Sequence, residues 1–528
     1  MLKKVIPLFV LISTLTVSTV TAAPANKYNP GNHYLDVQLL GINDFHGQLT
    51  TTSVMDGKEV GRADYLAAYL HQREKQNSNT LLVNVGDSVG GSPPISALLQ
   101  DEPVITMFNK LGFDVGTLGN HEFDEGVDEL KRMIYGGYHP KTGDFEGANF
   151  PYICANVVNK ENNQPILPPY VIKKVKGVPI GFIGVVTTET PRAVLPSGVS
   201  SVRFLDEAAS INKYVKELKK KGIKAIVVLN HVDGTTNKDG VTEGKLAQIA
   251  ENVDDEVDVM FGAHNHEYMN GIVDGKLLVE AYSYGKAFAD VDIKIDRKTK
   301  DIVEKKAEVV KTYHHGIKPD PQIKKLIEQN EKKVAPLINE IVGQAANEMT
   351  RTQNESGESS LGNLIADAQR TEMNTQIALT NSGGIRNDLN SGEITWGELY
   401  SIQPFGNQLV NMRMTGKDIR DVLNQQWQQG QTYMLQISGM KYTWDQNNVN
   451  GQKVQNMTLA SGEPIVDTQV YTVTTNSFLS EGGDGFTKFL EMKNKEPGVN
   501  DLDALVNYVK KATKPMNTHI EGRIQKVN

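Results

Sequence analysis

Gly119-Asn120-His121-Glu122-Phe123-Asp124 is the stretch on which the reading of this chain turns. It follows the apolar run Phe113 to Leu118, which reads as a short buried strand. Its polar residues therefore emerge at a strand's carboxyl end, where open α/β sheets place ligands. Asn120 offers a neutral oxygen to a cation, His121 can hydrogen-bond an oxyanion or donate a proton, and Asp124 can hold His121 in one tautomer. Six such residues alone are also ordinary loop chemistry, so the other strand ends decide.

Upstream, Leu35 to Ile42 alternates and then turns apolar, as an early strand of a central sheet does, and runs into Asn43-Asp44-Phe45-His46-Gly47. Asp44 and His46 are two apart on extended backbone, so both side chains leave one face and can reach one cation. A helix over about Ala63 to Glu74 leads to the apolar strand Leu81 to Val85, which ends in Gly86-Asp87-Ser88. A carboxylate at a strand end beside a tight glycine turn is placed to bridge two metals. The glycines that follow match neither standard nucleotide loop, since no Lys-Ser/Thr pair and no three-glycine dinucleotide spacing accompanies them. Downstream, Lys224 to Leu229 delivers Asn230-His231, and Val257 to Phe261 delivers Gly262-Ala263-His264-Asn265-His266. Five of the chain's eleven histidines thus fall at the ends of apolar strands, which a random scatter does not produce.

The candidate ligands are Asp44, His46, Asp87, Asn120, His231, His264 and His266. Oxygen and imidazole without thiolate suit Zn, Mn, Fe or a similar divalent ion, and seven ligands with one shared carboxylate are what two adjacent metals need. In order along the chain these stretches are D-x-H, G-D, G-N-H-[DE], H and G-H-x-H, and over Leu35 to Ile295 the sequence resembles the calcineurin-like metallophosphoesterases. The resemblance implies a four-layer αββα domain. It implies a first metal on Asp44, His46, Asp87 and His266, a second on Asp87, Asn120, His231 and His264, and His121 with Asp124 as the catalytic pair.

From Pro319 to Ala346 the pattern is helical and highly charged, with Pro336 expected to kink or divide it, and beyond it the composition shifts toward Asn, Gln and Gly. There the chain carries Asn381-Ser382-Gly383-Gly384-Ile385-Arg386, Gln403-Pro404-Phe405-Gly406-Asn407 and Phe478 to Phe486. A guanidinium beside a glycine turn suits an anion, loop phenylalanines suit a flat ring, and Asp484 can accept from ring or ribose donors. Alone, these residues read equally as a salt-bridged arginine and two core phenylalanines. In this order, behind the first domain, they resemble the carboxyl-terminal domain of the 5′-nucleotidase family. The resemblance implies that Arg386 meets phosphate, that Phe405 and Phe478 stack the base with Asp484 beside them, and that Asn381 opens the Gly383-Gly384 turn against the base. Arg351 matches an arginine that some members carry upstream, while Glu355 stands where some have a second one.

The expected architecture is α/β: a leader at 1–23, a metallophosphoesterase domain at 30–318, a linking helix at 319–346 and a nucleotide-binding α/β domain at 347–528. Lys3 and Lys4, an uncharged run from Val5 to Val20 and Thr21-Ala22-Ala23-Pro24 describe a cleaved secretory signal rather than an anchor, so a secreted, periplasmic or cell-surface location is expected, with no stable membrane insertion. The single cysteine, Cys154, reads as a buried apolar filler and leaves no internal disulfide. A formal charge of −8 gives no footprint for polymeric nucleic acid, so an anionic substrate must be drawn by local groups or metals. The expected function is release of phosphate from nucleoside 5′-phosphates by a metal-bound hydroxide, with nucleotides as partners. Hydrolysis of 2′,3′-cyclic nucleotides or UDP-sugars, or nucleotide binding without catalysis, stays open, as do metal identity and oligomeric state.

Overall fold

The computed structural model describes residues 33–428 and 430–528; the expected leader at 1–23 lies outside them. Two six-stranded sheets face each other in the first half. The first runs Ile302–Lys311, Ala287–Asp296, Tyr34–Ile42, Thr80–Asn84, Val115–Thr117, Tyr152–Ile153. The second runs Tyr170–Val175, Val178–Val186, Ala225–His231, Val257–Phe261, Lys276–Ala281, Tyr268–Val273. Leu39, Val83, Phe182, Val227 and Phe261 fill the space between the sheets. The inner strands Val178–Val186 and Ala225–His231 are buried along their whole length, so they read as continuous apolar runs rather than strict alternations.

On its outer side the first sheet carries Ala63–Glu74, Glu102–Leu111 and Gly126–Tyr135, packed through Leu66, Phe108 and Leu130. The second carries Glu207–Lys220 and Lys245–Ala250, packed through Ile211, Leu218 and Leu246. The order is therefore α, β, β, α. Tyr34–Ile42 pairs in parallel with Thr80–Asn84, which pairs in parallel with Val115–Thr117, and Ala225–His231 pairs in parallel with Val257–Phe261. Parallel neighbours end on one edge, so the polar residues that follow each strand collect there. Cys154 is fully buried, and burial pushes its thiol up to about 12, which leaves it an inert packing residue.

The linking helix is Pro321–Ile338, capped by Asp320, whose carboxylate accepts from the amides of Gln322 and Ile323. It is shorter than the expected 319–346, because Ile341–Ala345 is already a strand paired with Gly392–Thr395. Pro336 does not divide it: the helix runs through the proline, which lacks the N–H that would meet the Lys332 carbonyl, and closes two residues later at Ile338. Ile323, Leu326, Ile327 and Val334 seat it against the first domain's helices, so it is docked along one face rather than solvated all round.

The second half holds a five-stranded sheet, Leu435–Ser438, Ile377–Asn381, Val470–Asn476, Gln408–Thr415, Glu496–Asn500, with Ser360–Glu372 and Asp501–Lys510 packed together beside it. A three-stranded sheet, Val454–Leu459, Met440–Asp445, Ile524–Val527, completes it.

Asp501, at the start of its helix, is buried, and burial lifts its carboxyl to about 7 although the Leu502 amide and Asn407 favour the charged form. The folded chain then keeps a proton that the unfolded chain releases. This contribution is full below about pH 4 and is lost as pH climbs to about 7. Asp501→Asn is therefore expected to raise the thermal transition by a few degrees at pH 8 and by less at pH 5, read by calorimetry. An equal shift at both would assign it to something other than the carboxylate.

Candidate metal centre and substrate cleft

Five of the seven candidate ligands have left-handed backbone: Asp44 (φ 48°), His46 (47°), Asp87 (48°), His264 (90°) and His266 (63°). Side chains other than glycine avoid this region, and such residues cluster where function fixes a direction. Here each abrupt turn after a strand throws a side chain back toward the edge shared by the two sheets.

The side chains converge. His46 Nε2 lies 3.3 Å from His266 Nε2, and His266 Nε2 lies 3.5 Å from Asp44 Oδ1. Asp87 Oδ2 is 3.7 Å from His46 Nε2 and 3.1 Å from His231 Nε2, so one carboxylate stands between two groups of ligands. Asp44, His46 and His266 form one close set, and Asp87, His231 and His264 form another. His46 Nδ1 bonds the Gly90 carbonyl at 2.8 Å and His231 Nδ1 the Val85 carbonyl at 3.0 Å, which aims each Nε2 into the centre.

Two features show that the set fits divalent cations. Asn120 Oδ1 is buried without a hydrogen-bond partner among the described residues, a costly state unless another group satisfies it. The donors are carboxylate, amide oxygen and imidazole, the chemistry of Zn, Mn and similar ions. Charge agrees: burial opposes ionisation, yet His266 and His231 hold Asp44 down at about 2, while burial and His231 push His264 down to about 4, leaving it neutral and ready to ligate. His231 is the exception. Burial opposes its charge, but Asp87 and Asp44 raise it to about 9, so cation binding must displace its proton.

His121 stands beside the centre. Its amide donates to Asp87 Oδ1 at 2.8 Å, and its Nδ1 lies 2.8 Å from Asp124 Oδ2, which frees Nε2. Gly119 permits this closeness, because a Cβ there would lie 2.1 Å from Asp87 Oδ1. Glu122 belonged to the opening motif but had no assigned role. Its half-buried carboxylate accepts from the amides of Gly119, Asp87 and Ser88 at 2.5, 2.9 and 2.8 Å, tying two ligand loops together. Asn43 likewise donates to Asp44 Oδ2 at 2.7 Å, and Glu280 accepts from the Glu267 amide at 3.2 Å. Glu122 and Asn43 were findable by adjacency to motif residues; Glu280, in the strand Lys276–Ala281, carries no such signal.

From the second domain, Phe405 lies nearly parallel to the His121 ring, centroids 5.8 Å apart and planes 18° apart, and the Arg386 guanidinium sits 5.7 Å from the Phe405 centroid. A cavity of about 300 Å³ is lined by Asp87, Asn120, His121, His264 and His266 from one domain and by Asn381, Gly383, Gly384, Arg386, Phe405, Phe478 and Asp484 from the other. Gly483 lets the Phe478 ring lie close, since a Cβ there would come within 2.5 Å of it. Asn476 donates to Asn381 Oδ1 at 2.8 Å, and burial pushes Asp484 up to about 7 although the Asn381 side chain bonds it. Arg351 is not brought into this wall. Its guanidinium donates to the Ile385 carbonyl at 3.3 Å and its amide to Asp388 at 2.7 Å.

Imidazoles and carboxylates gathered at the ends of strands from two stacked sheets are the site of a metallophosphoesterase, and comparison with known proteins agrees. Residues 37–268 match the calcineurin-like phosphoesterase family, and residues 341–491 match the 5′-nucleotidase C-terminal domain. The chain belongs to the 5′-nucleotidase family, in which these two domains follow one another. Endonuclease YhcR of Bacillus subtilis is 44% identical over 503 residues, covering 93% of this chain but only 41% of that protein. Cell wall protein Lmo0130 of Listeria monocytogenes is 38% identical, over 97% of this chain and 72% of its own length. The crystal structure of a 5′-nucleotidase precursor from Thermus thermophilus aligns with a TM-score of 0.80 at 27% identity, covering 94% of this chain and all of that one.

Proposed function

We propose that this protein is an exported phosphohydrolase that releases phosphate from nucleoside 5′-monophosphates with two divalent ions held by Asp44, His46, Asp87, Asn120, His231, His264 and His266. The observation that carries the reading is the single cleft in which His121, His264 and His266 face Arg386, Phe405 and Phe478. One side suits a phosphoryl group and the other a ring.

Bound divalent ions supply Lewis acidity toward phosphoryl oxygens and a lowered pKa for the attacking water. The chain's own groups do the rest. Arg386 receives the phosphate by its guanidinium fork, and Phe405 and Phe478 take the base between them, with Asn381 and Asp484 at its polar edge. His121, fixed through Nδ1 by Asp124, donates from Nε2 to a phosphoryl oxygen as charge grows there. Water oxygen becomes the fourth oxygen of the released phosphate, and the ester oxygen takes up a proton and departs as the nucleoside hydroxyl.

Export rests on the amino-terminal sequence and fits the naming of the Listeria relative as a cell wall protein. No helix among the described residues is long and apolar enough to cross a membrane. We place the functional division at 30–318 and 347–528, joined through Pro321–Ile338. The 44% identical relative is named an endonuclease, but this chain spans less than half of it. Diesters therefore belong in the test as competitors.

That test is a phosphate-release panel of 5′-AMP, other monophosphates, ATP, 2′,3′-cyclic AMP, UDP-glucose and a short oligonucleotide, after chelation and with single divalent ions restored. Metal-dependent turnover highest on 5′-monophosphates is expected; highest turnover on a diester would replace the reading. Phe405→Ala is expected to lower kcat/KM on 5′-AMP by roughly tenfold or more and barely affect p-nitrophenyl phosphate. Equal losses on both would remove the stacking role.

A further inference from the structure

The wall of the base slot is not built by the second domain alone. Between Val186 and Val202 the first domain sends out the short helix Thr190–Ala193 and the turn Pro196–Val199, and Ala193, Val194 and Leu195 line the cleft that also holds Phe405, Phe478 and Asp484. Thr190–Ala193 packs on Gly483–Gly485, the turn that carries Asp484 and supports the Phe478 ring. The Ser197 amide donates to Glu481 Oε2 of the second domain at 3.2 Å.

This segment is anchored on both sides of the cleft residue. Val194 and Val199 are sunk in the first domain's core, and Gly198 packs against Gly126, two residues after Asp124, where a Cβ on Gly126 would meet the Gly198 carbonyl at 3.4 Å. Leu195, between the two anchors, is half-buried and free to meet what the cleft holds. It offers an apolar surface with no hydrogen-bonding group, whereas the polar groups of this part of the lining are those of Asn381 and Asp484.

We infer that Leu195 is a specificity-determining residue for the nucleobase, contributed by the metal-binding domain and held over the slot by the Ser197–Glu481 hydrogen bond. Base recognition then belongs to the assembled pair of domains, and a phosphate ester without a base gains nothing from this wall. The inference rests on the nucleotidase reading above and adds to it a contact that no motif indicated.

The test uses the full chain with its metals restored. Leu195→Ala is expected to lower kcat/KM on 5′-AMP about tenfold, chiefly through KM, with p-nitrophenyl phosphate within about twofold of wild type. Leu195→Met, which restores apolar contact, is expected to recover most of the loss. Glu481→Ala is expected to raise KM for 5′-AMP about threefold and leave p-nitrophenyl phosphate unchanged. Unchanged p-nitrophenyl phosphate turnover also reports that each variant folds with its metal site intact. Equal losses on both substrates, or no loss on 5′-AMP, would overturn the inference while leaving the nucleotidase reading standing. A wild-type chain that turns over p-nitrophenyl phosphate but not 5′-AMP would overturn both.

Discussion

His121→Ala is expected to lower kcat on 5′-AMP by about 10²–10³ with bound metal unchanged, the effect typical of losing one donor to a developing oxyanion. The geometry behind this is specific. Asp124 takes Nδ1 at 2.8 Å, leaving Nε2 toward the cleft, while the ring itself is 12% exposed and flanked by Phe405. Burial opposes protonation, but Asp124 and Asp87 outweigh it and shift His121 upward, toward the form with hydrogen on both nitrogens. That form can bond Asp124 and a phosphoryl oxygen together. His121 also lies close to His46 and Asp87, so a ligand role is the natural rival. Metal analysis by inductively coupled plasma mass spectrometry separates the two: metal lost in parallel with kcat would make His121 a ligand.

A larger effect is expected from Asp87→Asn. One oxygen of this carboxylate lies between His46 and His231 and the other accepts the His121 amide, so it touches both ligand sets and the catalytic loop. The amide replacement keeps the volume and removes the charge that the two proposed cations would share. Bound metal is expected to fall from two ions per chain to one or none, and kcat by at least about 10³, as follows from losing several kcal/mol of charge stabilisation. A variant that keeps both ions and most of its activity would refute the assignment of Asp87 as the shared ligand. His231, no longer held at about 9 by an Asp87 carboxylate, should also titrate lower, which nuclear magnetic resonance of the metal-free chain would detect.

Much of this site was legible because it obeys a simple rule: a buried parallel strand must spend its polar residues where it ends. Asp44, His46, Asp87, Asn120, His231, His264 and His266 each follow such a strand, so spacing along the chain already implied convergence. The four-layer arrangement, by contrast, came from the resemblance, since continuous apolar runs do not say which sheet a strand joins. The linking helix is shorter than its local pattern suggests because Ile341–Ala345 owes its strand character to pairing with Gly392–Thr395, a contact invisible in that pattern. Arg351 matches by motif position, yet in the fold its guanidinium meets the Ile385 carbonyl and does not line the cleft. Leu195 and Glu280 carry no chemical signature in sequence; one matters for where a core-anchored turn faces, the other for the amide it accepts.

The most direct test of the account is a crystal structure of the metal-loaded chain with a non-hydrolysable 5′-nucleotide analogue. Two anomalous peaks are expected, one against Asp44, His46 and His266 and one against Asn120, His231 and His264, with Asp87 on both. The phosphate should lie at His121 and Arg386, with the base between Phe405 and Phe478. A single metal peak, or a nucleotide whose base lies outside the Phe405–Phe478 slot while its phosphate occupies the centre, would contradict it.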